Sequence, residues 1–477
     1  MGAKVVLCIA AALTVTWGCD SRSPELPDEG NGGSGGTSHG GNGGVGGTGG
    51  MSNGGSGGGE GGTGGGSGEG ALPGIWTPVE FEVAPKGFKL YEADPATLDL
   101  PKPVWESCGP GCDSTKLSFG EVTGAVKVSL FAPTNEEAIA VVGAQHLVEF
   151  KGGSAVVYRV IRLTDGKSIS AFVGRPEGDA GKLPVMSSRL ESATSLLLSD
   201  GNSPSSPGYA SMLQSFRRLF REPWDESHYR GLHCEHFDLE GSPPAYMFAC
   251  PRGLEVMLET GDAMVLPDSQ YSVWGAGNRG LAVWAQHNLA SEPGRAHRSR
   301  IRGWSPGEEV RELAEVDGLV CGLGVGEKVV FGIVGDDILG GSRCNSGLTN
   351  ARFFILPRSG GTLVRGPVPP VESRSFHVGA TSITGDYVGL LLAGEPDMPY
   401  TERWKIVLLR LSDWQMRVFP VPQGRSISTT GVAVDLEHLY FATKMNEPFK
   451  PQGFDRLYRY RLDHFDQIGE PAEAAAP

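Results

Sequence analysis

Eight cysteines carry most of the chemistry this sequence has to offer. Cys8 lies in an apolar N-terminal stretch and Cys19 just after it, while Cys108, Cys112, Cys234, Cys250, Cys321 and Cys344 are spread through the rest of the chain. Thiols of this kind serve as disulfides, metal ligands or redox groups, and spacing discriminates among these uses. Cys108 and Cys112 stand at the two feet of a tight Cys-Gly-Pro-Gly-Cys turn. Cys234 and Cys250 are equidistant from Ser242, inside a Glu240-Gly241-Ser242-Pro243-Pro244 turn, so strands on either side would set them opposite each other. Cys321 and Cys344 are left to pair. The chain-entropy argument assigns about 2 kcal/mol to the smallest of these loops and about 3 kcal/mol to each of the others. Zinc is the competing reading of His228 and His233-Cys234-Glu235-His236, but no second Cys or His pair stands at zinc spacing once Cys250 is a disulfide partner. The Cys108 pair has CxxxC spacing rather than the CxxC of thiol oxidoreductases.

Other catalytic signals are weak. The sequence has no zincin helix motif, no phosphate-binding loop, no calcium loop and, outside a glycine-rich stretch, no nucleophile elbow. Asp336-Asp337 and Asp225-Glu226 are paired acids of the type used in glycoside hydrolysis, although such pairs are more often solvated turns. Trp274, Trp284, Trp304, Trp404 and Trp414 could stack on sugars or fill gaps between sheets. No catalytic residue, metal ligand or cofactor is assigned.

The elements that would position these groups begin after a leader and a tether. Residues 1–18 read as a signal peptide, with Lys4 as its positive charge and an apolar run of about thirteen residues, short for a stable membrane span. The segment Val15-Thr16-Trp17-Gly18-Cys19 resembles the lipobox of bacterial lipoproteins, in which a small residue precedes the cysteine that becomes diacylated. Gly18 and Cys19 fit that pattern, while Thr16 and Trp17 stand where the family carries Leu and a small residue. The resemblance implies a lipid on Cys19 and anchoring to a membrane. Residues 19–72 are low in complexity, with Gly-Gly pairs recurring as in Gly32-Gly33-Ser34, Gly35-Gly36-Thr37, Gly43-Gly44-Val45 and Gly46-Gly47-Thr48. They offer almost nothing apolar to bury against the entropy of ordering, so the stretch is expected to be a disordered linker. About fifty such residues give a root-mean-square reach of roughly 40 Å. Tethers of this kind after a lipidated cysteine are similar to those of myxobacterial lipoproteins, a likeness that covers only the export and tether region.

Residues 73–477 carry a repeat. Apolar hairpins centre near residues 106, 160, 248, 300, 354, 407 and 458, and all but one of the steps are close to 53 residues, about the length of a four-stranded propeller blade. Two further strands precede most hairpins, as at 379–382 with 387–392 and at 431–434 with 439–443. The expectation is an all-β chain forming a β-propeller of seven blades. Six, with the N-terminal hairpin completing the last blade, is the alternative. The long step is read as an insertion near 199–230, in which Met212, Leu213, Phe216, Leu219 and Phe220 follow helical spacing up to Pro223. Successive turns of an antiparallel blade alternate between the two faces of the ring. The longer segments 287–297, 335–350, 394–402 and 445–452 therefore share one face, where a ligand would be sought over the central channel.

The net charge of −14, with no run of Lys or Arg, excludes a basic footprint for nucleic acid. The functional expectation is a surface-displayed lipoprotein of the cell envelope, attached to the outer membrane and facing periplasm or exterior. Its propeller would bind a glycan or protein ligand or act as a scaffold. An extracytoplasmic hydrolase or lyase acting on carbohydrate or peptide is the alternative, and a purely structural envelope component is the third reading.

Overall fold

The computed structural model describes residues 75–78, 88–97, 102–116, the strands between 126 and 288, and then 297–338, 348–370, 377–394, 404–422, 425–445 and 454–472. The expected signal peptide, Cys19 and the glycine-rich linker lie outside the described residues, as do Cys234 and Cys344. Among the described residues the elements are strands, apart from short 3-10 turns at Pro95–Thr97 and Leu462–His464. No described helix is long and apolar enough to cross a membrane.

Seven successive antiparallel sheets of three or more strands are described. Sheet 1 runs Val126–Phe131, Ile139–Ala144, Val156–Arg162 and Ser168–Pro176, with Phe88–Ala93 and then Thr77–Pro78 added outside the fourth strand. Sheet 2 is Ser187–Ser192, Ser195–Ser199 and Tyr209–Leu213, and sheet 3 is Glu235–Asp238, Ala245–Cys250, Gly253–Leu258 and Ala263–Val265. Sheet 4 is Gly275–Asn278, Leu281–Asn288, Arg298–Trp304 and Arg311–Asp317. Sheet 5 is Leu319–Val325, Val329–Gly335, Arg352–Pro357 and Val364–Arg365. Sheet 6 is His377–Thr384, Tyr387–Ala393, Trp404–Arg410 and Met416–Phe419, extended by Glu470–Pro471. Sheet 7 takes Arg425–Val434, His438–Met445 and Phe454–Arg461 from the C-terminal end, then Cys112–Lys116 and Glu106–Gly109 from the N-terminal end.

The first strand of each sheet lies beside the first strand of the next, and Arg425–Val434 of sheet 7 lies beside Val126–Phe131 of sheet 1. The ring is therefore closed around its first strands, and the fold is a β-propeller. Strands near the axis are covered on both faces, so they read as nearly continuous apolar runs rather than alternating ones. Leu319–Val325 is buried throughout, and Val329–Gly335 and Tyr387–Ala393 are buried after their first residue. Outer strands alternate instead, as Arg311–Asp317 does. The core is a series of inter-sheet layers. Val283, Ile301, Val330 and Phe354 join sheets 4 and 5; Phe331, Phe353, Leu390 and Val407 join sheets 5 and 6; Leu391, Leu408, Phe419 and Phe441 join sheets 6 and 7. Full burial of a side chain of this size contributes about 1.5–3 kcal/mol.

Four sequence expectations change. The hairpin at Cys108 is not a blade of its own: Cys112–Lys116 pairs with Phe454–Arg461 and completes the last sheet. The hairpin near 458 is expected from its sequence to return through Gln467-Ile468, but the chain turns through Leu462–His464, and Glu470–Pro471 pairs with Met416–Phe419. The long step holds a sheet, 187–213, in which Met212 and Leu213 belong to a strand pairing with Ser195–Ser199 rather than to a helix. Phe216, Leu219 and Phe220 lie outside the described residues. Finally, Ala245–Cys250 and Gly253–Leu258 are the second and third strands of their sheet, not the third and fourth. Apolar alternation reveals a hairpin but not its distance from the axis, and pairing across hundreds of residues leaves no local pattern.

Candidate functional site at the long-loop face

Chain order fixes which connections share a face. Segments joining second to third strands are 145–155, 200–208, 289–297, 336–351, 394–403 and 446–453, with the short 251–252 in sheet 3. They leave the ring on the same side as the sheet-to-sheet links. The opposite face carries tighter turns such as 193–194, 279–280, 326–328, 385–386 and 435–437.

The 336–351 segment is described at its root. Asp337–Ile338 pairs with Leu348–Thr349, and the Asp336 N–H donates to the Thr349 carbonyl at 3.0 Å. Asn350 adopts a left-handed φ of 49°, and its Nδ2 donates to Asp336 Oδ2 at 2.8 Å. Leu348 and Ala351 are buried in the cluster that includes Leu319 and Cys321. Gly335 is required beneath them, because a Cβ there would sit 2.7 Å from the Thr349 carbonyl oxygen. Asp336, one of the paired acids of the sequence reading, thus serves to close the loop base, and Asp337 is part of the short strand. Asp225 and Glu226 lie outside the described residues.

Sheets 4 and 5 are joined at this face by a single residue, Gly318, at φ 114°. Its N–H donates to the His297 carbonyl at 2.7 Å. The buried Ser299 hydroxyl donates to the Gly318 carbonyl at 2.8 Å and accepts from the Val320 N–H at 3.1 Å. His287 Nε2 lies 2.9 Å from the Val320 carbonyl. Burial lowers the pKa of His287, and the charge of His297 pushes the same way, against that hydrogen bond. A neutral ring must carry its proton on Nε2 to donate here, leaving Nδ1 as an acceptor.

Three neighbouring first strands are bulged. Register slips occur between Cys321 and Gly324, between Val378 and Ala380, and between Ile427 and Val432. Bulges re-aim side chains and interrupt the ladder, and they are frequent beside binding sites. Sequence reasoning missed them. The available signal was glycine inside strand patterns, at Gly322, Gly324, Gly379 and Gly431.

Of the expected disulfides, Cys108–Cys112 is formed, with its Cα atoms 5.2 Å apart. Cys321 is disulfide-bonded, and Cys344 lies outside the described residues. Cys250 ends the strand Ala245–Cys250, and its expected partner Cys234 lies outside the described residues. Trp284 and Trp304 are buried between sheets, while Trp404 and Trp414 pack against core clusters; Trp274 lies outside the described residues. Among the described residues no three His, Cys, Asp or Glu side chains converge as a metal site would require.

A histidine and a carboxylate do approach each other on the tight-turn face. His438 Nδ1 lies 3.9 Å from Asp435 Oδ1. Asp435, itself buried, accepts the backbone N–H groups of Glu437 and His438 at 2.8 and 2.7 Å. That carboxylate holds the turn between two strands, which is a structural duty.

No protein-family model matches the chain, and no curated protein matches it. It is similar in structure to the β-propeller domain of the Trilobed protease from Pyrococcus furiosus, with 11% identity, 74% of this chain and 100% of that chain covered, and a TM-score of 0.37. An acylaminoacyl peptidase from Pyrococcus horikoshii shows 13% identity over 73% of this chain and 55% of that one, with a TM-score of 0.35. A lignostilbene dioxygenase from Pseudomonas brassicacearum shows 10% identity over 76% of this chain and 92% of that one, with a TM-score of 0.34. The chain thus spans about half the length of the peptidase it resembles.

Proposed function

We propose that the chain is an exported, lipid-anchored binding protein of the bacterial cell envelope, whose propeller takes a glycan or protein ligand on the face that carries the 336–351 segment. The observation that carries the reading is the asymmetry of the two faces. One carries short turns; the other carries the longer connections, and the largest of these is rooted by Leu348, Ala351 and the Asp336–Asn350 hydrogen bond. Length on a rigid scaffold is where recognition is grafted, and a loop ordered in advance loses less entropy when it meets a ligand. The lipobox-like Gly18-Cys19 and the glycine-rich residues that follow support attachment through Cys19 and display at a distance from the membrane. Disulfides at Cys234–Cys250 and Cys321–Cys344 belong to the same exported reading. The proposal includes no cofactor and no nucleic acid partner.

The test uses the full mature chain against arrays of glycans and peptides, followed by hydrogen exchange with the best ligand. Protection at 289–297, 336–351, 394–403 or 446–453 is expected. Protection confined to the tight-turn face would overturn the assignment. Palmitate-analogue labelling of the wild type but not of Cys19→Ala is expected for the anchor, and equal labelling of both would remove it.

A further inference from the structure

The ring closes through a hairpin that is itself closed by a disulfide. Cys112–Lys116 forms the outer partner of Phe454–Arg461, and Glu106–Gly109 covers its far edge. The two sulfurs of the Cys108–Cys112 bond live in different surroundings. Cys108 sits on a strand whose four residues are all exposed, at a register slip between Ser107 and Gly109. Cys112 is 6% exposed and belongs to the apolar cluster with Tyr458, Phe465 and Ile468. The turn between them is tightly seated, because a Cβ on Gly111 would meet His464 and Ile468 at 2.8 Å. Cys321, by contrast, is 3% exposed inside the core between sheets 5 and 6.

We propose that Cys108–Cys112 is a thiol-exchange site that controls how firmly the ring is closed, its partner being a dithiol protein of the exported compartment. Exposed disulfides are the labile ones, since the attacking thiolate must reach a sulfur in line. A donor thiolate attacks Cys108 Sγ and forms a mixed disulfide. The Cys108–Cys112 bond breaks, and Cys112 leaves as a thiolate. Its apolar surroundings disfavour that charge, so it takes a proton. The second donor thiol then attacks the mixed disulfide and releases Cys108 as a thiol. The donor is oxidised by two electrons and the hairpin is reduced by two. The reduced hairpin is no longer constrained across its bulge, so the closing strand opens more often. The loop is short, and the chain-entropy contribution corresponds to about a thirty-fold change in that opening equilibrium. The partner's compartment rests on the exported reading above, whereas the geometry of the hairpin is independent of the ligand-binding one.

The experiment titrates the full mature chain with dithiothreitol under native conditions, alkylates free thiols and maps them by mass spectrometry. Hydrogen exchange is followed in the same samples. Cys108 and Cys112 are expected to become alkylated at a reductant concentration at least about ten-fold below that needed for Cys321. Amide exchange in 112–116 and 454–461 should rise by about thirty-fold, while 387–393 stays unchanged. A variant with Cys108→Ser and Cys112→Ser should show the exchange of the reduced wild type without any reductant. Reduction of Cys321 at the same concentration, or reduction of Cys108 with unaltered exchange at 112–116, would overturn the proposal.

Discussion

The closing sheet has two faces built from the same strands and made of different chemistry. Toward sheet 6 it presents Cys112, Val432, Val434, Leu439, Phe441 and Tyr458, which pack against Leu391, Ile406, Leu408 and Phe419. The aromatic rings there are close, with Phe419 and Tyr460 at 4.6 Å and Phe441 and Tyr458 at 5.2 Å between centroids. The other face, which looks toward sheet 1, carries His438, Tyr440, Arg459 and Asp113. Arg459 forms an ion pair with Asp113 at 2.8 Å and lies 4.2 Å above the ring of Trp105. Among the described residues, Trp105 Nε1, His438 Nδ1 and the Tyr440 hydroxyl in this region are buried and make no hydrogen bond of normal geometry. The Asp435 carboxylate acts on the Tyr440 hydroxyl. Burial first, and that carboxylate second, push its pKa well above the usual phenol range. Area burial stabilises the first seam, while the second gives up part of its stabilisation to desolvated polar groups. Among the described residues the two sides of the last sheet therefore differ in chemistry: the side toward sheet 6 is an apolar and aromatic cluster, and the other carries an ion pair and buried polar groups.

Truncation tests this contrast most severely. Phe441→Ala empties the apolar seam and should cost about 3–5 kcal/mol in denaturant unfolding. Arg459→Ala removes one partner of a half-buried ion pair and strands Asp113, with an expected cost of about 1–3 kcal/mol. Equal costs for the two would erase the difference between the seams. Acid provides a finer probe. Burial, aided by Arg459, holds the His438 pKa below the ordinary histidine value of about 6.5, while Asp435 and Glu437 pull it upward. The unfolded chain therefore binds a proton more readily than the folded one. The contribution of this residue is fully present above about pH 6.5 and is lost as pH falls through the folded value. Unfolding midpoints measured at pH 7.5 and pH 5 should show a smaller acid loss in His438→Gln than in the wild type. An unchanged loss would place the acid-sensitive group elsewhere, with His287 the first candidate. The smallest effect belongs to Tyr440→Phe. Deleting a buried hydroxyl that makes no hydrogen bond of normal geometry to a described residue should leave stability within about 1 kcal/mol of wild type or raise it. A loss of about 2 kcal/mol would show that the hydroxyl is bonded and the seam tighter than it looks.

The legibility of this fold follows the range of the interactions involved. Runs such as Ile406 to Leu411 and Leu457 to Leu462 announce strands, because apolar residues there must face two neighbouring sheets. The repeat and the propeller follow from their spacing. What the runs do not announce is position within a sheet: the repeat predicts the third and fourth strands near 248, and Ala245–Cys250 and Gly253–Leu258 are the second and third. Met212 and Leu213 fit a helical period as well as a strand, and only pairing with Ser195–Ser199 decides between them. The closing strand Cys112–Lys116 is short and polar, and its partner lies at the other end of the chain. The candidate face was legible from loop length alone. Its bulged first strands were legible only as scattered glycines, and the His287–Val320 contact joins two sheets through a backbone atom that no side-chain pattern marks.

The bond between Arg459 and Asp113 spans 346 residues of sequence. Asp113 is synthesised long before Arg459. The ring therefore cannot close while the chain is still emerging, and six sheets must wait with an unpaired edge for the seventh. Contacts of this range slow folding and leave strand edges open to the wrong neighbour. For a chain whose ring closes only when its last strands arrive, the interval between the arrival of the first hairpin and the arrival of its partner is when it is most exposed to aggregation and proteolysis.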